Sequence, residues 1–441
     1  MARGGRLIVP LLLLGSAAQP LRAEERPVTL DEALSLATKA NPELQAAEAR
    51  VEAQRERTDS TRRMAWPRLG LSSNWSRMNM PAGVFASTLN SGEFTQADFD
   101  VAKLNDPPAL NHLGTNLSLE VPIDVFGKVR TMAGAMVAYG DAASAGTRDA
   151  AQEIRLRVVE AYRRAEMAGR AVLVTERVLS VAKAREAEIE ARVQAGGALQ
   201  ADLLRARARR RQREADLAER RGQQRMGHAG LARLLGAPAG VDYVPTEGPP
   251  AVAPLTCDEA EWVERALRQR PVLEAVRRRS DAASAFVKNE KNALLPDIGA
   301  FGQLWDDRIP AGGSQSWAFG VGLKWTPFDA ARGKREAAAT ADQRAAAQEA
   351  RATADQVRLD VAMAYRRAVT ARERHAASAG GAEEGREALR VVQERRKAGM
   401  ATLTDELETE TAALGAALEE IGAAAEVAIA DAALRRAAGE I

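Results

Sequence analysis

Large rings are scarce in this chain of 441 residues: Phe, Tyr and Trp together make up 4% of it. A compact core packed around aromatic side chains is therefore not on offer. Cys257 is the single cysteine, which excludes an intrachain disulfide, and it lies too far from the N-terminus to be the acylated first residue of a lipoprotein. The three histidines, His112, His228 and His375, show no ligand spacing and have no cysteine pair beside them, so neither a metal site nor a bound cofactor is expected. Gly-rich phosphate loops, nucleophile elbows and pocket-bound carboxylate pairs are missing too, and an enzyme is not expected. The formal net charge of +2 is too small to argue for an acidic partner. One basic cluster, from Arg205 and Arg207 to Arg213, lacks interleaved aromatics and is balanced by Glu406, Glu408 and Glu410, which argues against nucleic acid. Beyond the N-terminal segment no run reaches the ~18 apolar residues of a membrane helix. If the chain enters a membrane, it does so with β-strands.

What is present in quantity is Ala, Arg, Glu, Gln and Leu, the composition of long helices and coiled coils. The first residues differ. Arg3 and Arg6 precede an apolar run over 7–14 and then small residues, with a cleavage point after Ala23 and the less usual Leu21 at the −3 position. That order reads as a secretory signal peptide over 1–23 and predicts an exported protein.

The remainder is duplicated. Residues 155–165 read RLRVVEAYRRA and residues 358–368 read RLDVAMAYRRA, which places Tyr162 and Tyr365 203 positions apart. Ala195-Gly196 returns as Ala398-Gly399, and Asp202 returns as Asp405, at the same offset. Pro67 and Pro296 are 229 apart but Pro122 and Pro327 only 205, so the first copy carries 24 extra residues between its two prolines. The expected organisation is a first repeat over 24–239, a Pro-rich linker over 240–257 and a second repeat over 258–441.

Each repeat reads helix, strand, loop, strand, long helix, break, helix. In the first copy Ile154, Val158, Ala161, Ala165, Ala168, Val172, Thr175, Leu179, Ala182, Glu186, Ile189 and Val193 hold an alternating 4,3 spacing, a sustained heptad seam. The helix predicted over 128–195 would be ~100 Å long at 1.5 Å per residue, too long for a compact domain. Gly196-Gly197 ends it. A return helix is predicted over 199–235, and in the second copy a rod over 335–398 and its return over 402–438, with shorter helices from Asp258 and Pro271.

The strand signal is shorter. Trp317, Phe319, Val321, Leu323 and Trp325 alternate with small or polar residues, and the two tryptophans stand ~26 Å apart at 3.3 Å per residue. That is close to the ~25 Å apolar band of a membrane barrel with its aromatic girdles; the alternative is a half-buried strand of a soluble sandwich. Leu113 to Val121 and Leu69 to Trp75 alternate more weakly. Trp75, Trp305, Trp317 and Trp325 are the expected membrane belt. Prolines mark each corner between helix and strand, because proline cannot continue a helix and pushes the preceding residue to extended geometry. Four strands cannot close a barrel, and open edges are not tolerated in lipid. Two or three chains would supply 8 or 12 strands; eight nearly fill their own interior while twelve leave a lumen, so a trimer is expected.

Repeated long helices, proline-bounded strand pairs and the Gly-to-Asp turns, together with Thr29-Leu30-Asp31-Glu32-Ala33-Leu34 and Asn41-Pro42-Glu43-Leu44, resemble the TolC-type outer-membrane efflux proteins over essentially the whole mature chain. The resemblance implies a mainly α fold with a membrane β-barrel: long helices forming an α-barrel across the periplasm, and four strands per chain completing a 12-strand barrel of a homotrimer in outer-membrane lipid. It implies a periplasmic adaptor protein and an inner-membrane pump, of RND or ABC type, as partners. Adaptor-contact tips would be the turns at Gly196, Gly197 and Leu199 and at Gly399 and Thr402. Asp405 and Glu408 would line the closed periplasmic aperture, with Asp202 in the matching place of the first copy. The arginine that some relatives pair with that aspartate is replaced here by Ala401. Shifting by 203 superposes Arg205 on Glu408 and Arg207 on Glu410, so these opposite charges are expected to bridge neighbouring repeats and hold the resting tip closed.

The function expected is the exit duct of a tripartite efflux pump for small molecules or ions. Alternatives are an outer channel for type I protein secretion and a soluble periplasmic coiled-coil protein such as the adaptor itself. The insertion between Arg77 and His112, with Met78, Met80, Phe85, Phe94 and Phe99, reads as an extended extracellular loop packed against the barrel mouth rather than as a soft-metal site.

Overall fold

The computed structural model describes residues 24–238, 240–248 and 251–441; the expected signal peptide over 1–23 lies outside them. The chain begins with β1 (Glu24–Val28), α1 (Leu30–Ala40), α2 (Pro42–Arg63) and β2 (Arg68–Met78). An insertion follows, with α3 (Pro81–Asn90), a 3-10 turn (Gln96–Phe99) and α4 (Val101–Asn105). Next come β3 (Leu110–Ile123), α5 (Lys128–Gln194), α6 (Gln200–Leu234) and β4 (Val241–Pro245). The second half repeats the order as α7 (Glu259–Gln269), α8 (Pro271–Asn292), β5 (Asp297–Ile309), β6 (Gly312–Lys324), α9 (Arg332–Lys397) and α10 (Leu403–Ala438). All four long helices begin and end within three residues of the expected positions. None of the described helices is long and apolar enough to cross a membrane. The parallel pairing of β1 with β4 was not legible in the sequence, since both strands are five residues long and β4 falls in the Pro-rich linker.

The chain forms two compact units, each drawing on both halves of the sequence. One takes in the chain up to Gln45, Ala151–Val263 and Asp360–Ile441; the other is Ala46–Ala150 with Glu264–Leu359. In the first unit the α5 seam is buried as its spacing requires: Ile154, Val158, Ala165, Val172, Thr175, Leu179, Ala182 and Ile189 are all inside. Small seam residues let helices approach closely. A Cβ on Gly227 of α6 would lie 3.3 Å from the Cα of Ala165 on α5, and one on Gly385 of α9 would lie 3.3 Å from the Cα of Ala413 on α10. Tyr162 is fully buried, where its hydroxyl donates to the Val28 carbonyl (3.1 Å) and accepts from the Glu247 amide (3.1 Å). The tyrosine that marks the duplication thus ties β1 and the segment after β4 to the first rod.

The second unit carries an antiparallel sheet in the order β2-β3-β5-β6. Its register sorts the side chains into two faces. Leu69 pairs with Leu119, Leu71 with Leu117 and Trp75 with Leu113. Leu117 pairs with Leu304, and Leu304 with Trp317. One face is therefore apolar across all four strands, and it is bare: Leu69, Leu71, Phe319 and Val321 are each 72–77% exposed. The opposite face is mostly Gly, Ser, Asn and charge, with Phe301 and Trp305 of β5 among them. The Pro-x-Asp corners also gain a physical reason. Asp124 accepts from the amides of Val129 and Arg130 (3.1 and 3.0 Å), and Asp329 accepts from the Ala331 amide (2.9 Å) and from the guanidinium of Arg335 (2.6 Å). Each aspartate caps the start of a rod as the strand ends. The insertion is folded, held by edge-on contacts of Phe94 with Phe85 and Phe99 (5.0 Å each). Met78 packs with its sulfur over Gly83, so it fills a gap in the insertion.

Candidate functional site

The two helical turns at the tips are built alike and then diverge. Gly196 (φ +73°) and Gly399 (φ +74°) take the left-handed conformation that glycine adopts without strain. Each closes its helix with a paired motif: Gly197 N–H to the Arg192 carbonyl (2.7 Å) with Gly196 N–H to Val193 (3.0 Å), and Met400 N–H to Arg395 (2.8 Å) with Gly399 N–H to Arg396 (3.0 Å). The return helices start differently. Leu199 offers no side-chain cap. Thr402 makes a reciprocal capping box with Asp405: the Thr402 amide donates to the Asp405 carboxylate (2.8 Å), and the Asp405 amide donates to the Thr402 hydroxyl (3.2 Å). The Thr402 amide first, and then its hydroxyl, hold the Asp405 carboxyl below the usual carboxylate range. Its folded pKa being depressed, the stabilisation it brings is present above the ordinary carboxylate pKa and disappears as pH falls through the lowered value.

The duplicated position three residues into each return helix shows the sharpest difference. Leu203 of α6 is buried in an apolar cluster with Ile189 and Ala206. Its counterpart, 203 positions on, is Glu406, equally buried. Two guanidinium groups converge on that carboxylate, Arg185 from α5 and Arg396 from α9. Nearby, Arg209 donates to the Leu407 carbonyl (2.9 Å) and Arg213 to the Thr411 hydroxyl (3.4 Å), so α5 and α6 are joined to α10 by three separate contacts.

Inside a single chain the expected cross-repeat partners are not the ones these arginines take. Within the chain Arg205 pairs with Asp202 on its own helix (3.5 Å), and Arg207 turns to Glu190 (2.7 Å) and Glu186 (3.5 Å) of its own hairpin. Helical phase is the reason: two residues along a helix rotate a side chain by ~200°, so Arg207 and Arg209 face opposite ways. Glu408 and Arg205 line a shared groove with Arg209, Thr404 and Leu407 but form no ion pair there. The sequence did hold a signal for Glu406 and Glu410. The 3,4,3 steps from Leu403 through Glu406 and Glu410 to Ala413 put both acids on the buried seam, where a charge needs a partner.

Glu410 is the less satisfied of the two. Burial pushes its carboxyl up, against the opposing pull of Arg213 and Arg209. One of its oxygens is buried without a hydrogen bond. Because the folded pKa is raised, its destabilising contribution is complete above that raised value and absent below the ordinary carboxylate pKa. Glu410→Gln is therefore expected to match or exceed wild type in Tm near pH 8 and to lose that advantage below about pH 4. Melting curves at the two pH values check this.

On the sheet, Trp75 and Trp317 share the apolar face, and Trp325 follows β6 with its indole N–H on the Leu294 carbonyl (2.9 Å). Trp305 does not join them. It pairs with Asn116 and Ser316, one position out of phase with Leu304, and so stands on the polar face. Alternation with a period of two decides this.

The sequence profile described as outer membrane efflux protein matches residues 33–237 and 262–440, most of the chain. The chain belongs to the outer membrane efflux protein family. Solved structures agree on the fold. A membrane protein from Pseudomonas aeruginosa is similar with a TM-score of 0.77 at 23% identity, covering 93% of each chain. The CmeC outer membrane channel of Campylobacter jejuni gives 0.78 at 17% identity, covering 93% of this chain and 85% of its own. The outer membrane protein VceC of Vibrio cholerae gives 0.73 at 19%, covering 93% and 96%. No curated protein sequence matches the chain. As a member of this family the protein is an outer-membrane efflux protein, not an enzyme.

Proposed function

We propose that three copies of this efflux-family chain pool their sheets into one twelve-strand barrel, which serves as the exit duct of a tripartite pump for small molecules or ions. The observation that carries this reading is the four-stranded sheet with two free edges and one bare apolar face ending at Trp317 and Trp325. Unpaired strand edges and ~70% exposed leucines are costly in water, and edges are costlier still in lipid. Pairing β6 of one copy with β2 of the next removes both problems at once. The turns at Gly196, Gly197 and Leu199 and at Gly399 and Thr402 are then the far ends of the rods, where a periplasmic adaptor protein would dock and connect to an inner-membrane pump of RND or ABC type. Asp405 and Glu408 would face the aperture there, with Glu406 holding the hairpins together behind them. The insertion between β2 and β3 lies at the other end of the sheet, the external mouth.

The expected result on fractionation is recovery in the outer membrane, and a detergent-resistant trimer on cross-linking. A monomer that stays soluble without detergent would overturn the proposal.

A further inference from the structure

Two rings have no part in the contacts described above. Phe301 and Trp305 lie four residues apart on β5, both on the polar face, with Gln303 between them. The flanking positions on β3 and β6 are small or polar: Asn116 and Ser316 beside Trp305, Ser118 and Ala318 beside Gln303, Glu120 and Gly320 beside Phe301. Phe301 lies over Gly320, where an added Cβ would come within 2.9 Å of its ring, yet 40% of the residue is exposed. Large rings on the polar side of an amphipathic sheet gain nothing from lipid, and the sheet offers them no core. A chain with 18 aromatic residues in 441 places two of them here, on one strand and one face.

We infer that Trp305 and Phe301 form an aromatic constriction inside the barrel that stacks planar aromatic solutes as they leave. This rests on the twelve-strand barrel proposed above. Twelve strands at 4.8 Å spacing, tilted by about 40°, enclose a backbone radius of ~12 Å. An indole reaching about half that distance inward from each of three chains narrows the lumen to the scale of a small organic molecule. Phe301 rests on Gly320 with 40% of the residue still exposed, and the small or polar neighbours of Trp305, Asn116 and Ser316, put no large side chain beside it. Charge does not compete for the same cargo. Asp307, two residues from Trp305, is held by His112 (2.9 Å), Asp297 by Lys128 (2.7 Å), and Glu120 faces Arg68 in register. A ring face is thus the distinctive group at this level, and it favours flat aromatic solutes over hydrated metal ions, with cation–π attraction added where the solute is charged.

The test uses the full-length protein in planar lipid bilayers, with ethidium as a planar aromatic cation and tetraethylammonium as a non-aromatic one. Ethidium is expected to produce resolved current blockades and tetraethylammonium none. In Trp305→Ala/Phe301→Ala the ethidium dwell time should shorten at least tenfold and the open conductance should rise, while Trp305→Phe should keep most of the dwell time. Equal blockade of the wild-type channel by both cations overturns the inference, as does an unchanged dwell time in the double variant. A wild-type protein that forms no channel would overturn the barrel itself, and this inference with it.

Discussion

Glu406→Ala is expected to raise single-channel conductance several-fold and to lower the Tm of the assembled protein. Its carboxylate is buried and shared by Arg185 and Arg396, whose side chains are 23% and 14% exposed. Alanine would leave two guanidinium groups facing one another, with Arg185 keeping only Glu188 (3.1 Å) of its two carboxylate partners. Breaking a buried pair by removing one partner costs ~3–5 kcal/mol, because the charges left behind stay desolvated. At about 1.4 kcal/mol per factor of ten, that shifts a closed-to-open ratio by on the order of a hundredfold or more. The relief available to the mutant is for α10 to move away from α5, which in the proposed duct would loosen the tip. Glu406→Gln keeps volume and one acceptor and should open the tip less. Glu408→Ala provides the contrast: Glu408 is exposed and forms no ion pair among the described residues, so its loss should change the closed state by less than ~1 kcal/mol. Wild-type conductance and wild-type Tm in Glu406→Ala would show that the buried triad holds nothing shut.

The second large effect concerns the sheet. Val321 sits midway between Trp317 and Trp325 on the apolar face and is 72% exposed. In a lipid-embedded barrel Val321→Arg places a cation at the midplane at a cost of ~2–4 kcal/mol per strand, so ~6–12 kcal/mol for a trimer. Outer-membrane trimer should fall more than tenfold. Ala318→Arg puts the same side chain on the other face, opposite Gln303, where it would meet water. That variant should assemble, with reduced conductance from the narrower lumen. Quantifying trimer in the membrane fraction for both variants decides the matter, since a soluble sandwich would bury one face and give no such contrast in membrane content.

Much of this architecture is legible in the sequence. The 4,3 spacing from Ile154 to Ile189 dictates a rod because only one stripe of a helix can be buried against a neighbour, and that stripe is inside. Gly196 and Gly399 had to end the rods, since glycine alone reaches a positive φ without strain. Trp305 went to the wrong face because its segment, Asp297–Ile309, does not alternate clearly; Phe301, Gln303 and Trp305 share a face with Asp307. Only the ladder with β3 and β6 sets its phase. Within the chain Arg205 meets Asp202 and not Glu408, for a related reason. A repeat offset aligns heights along two helices but says nothing about rotation around them.

Local patterns in the chain were enough to determine the duplication, the lengths of the rods, the corners at Pro67, Pro122, Pro296 and Pro327, and the two-faced strands. Each depends on backbone preferences and on periodicity within a single element. Tertiary packing decided which charges meet: Glu406 with Arg185 and Arg396, residues 221 and 10 positions away. It also decided which side of the sheet Trp305 occupies and that Tyr162 anchors β1. Such contacts depend on the angular phase of separate elements against one another, a quantity that no single stretch of sequence carries.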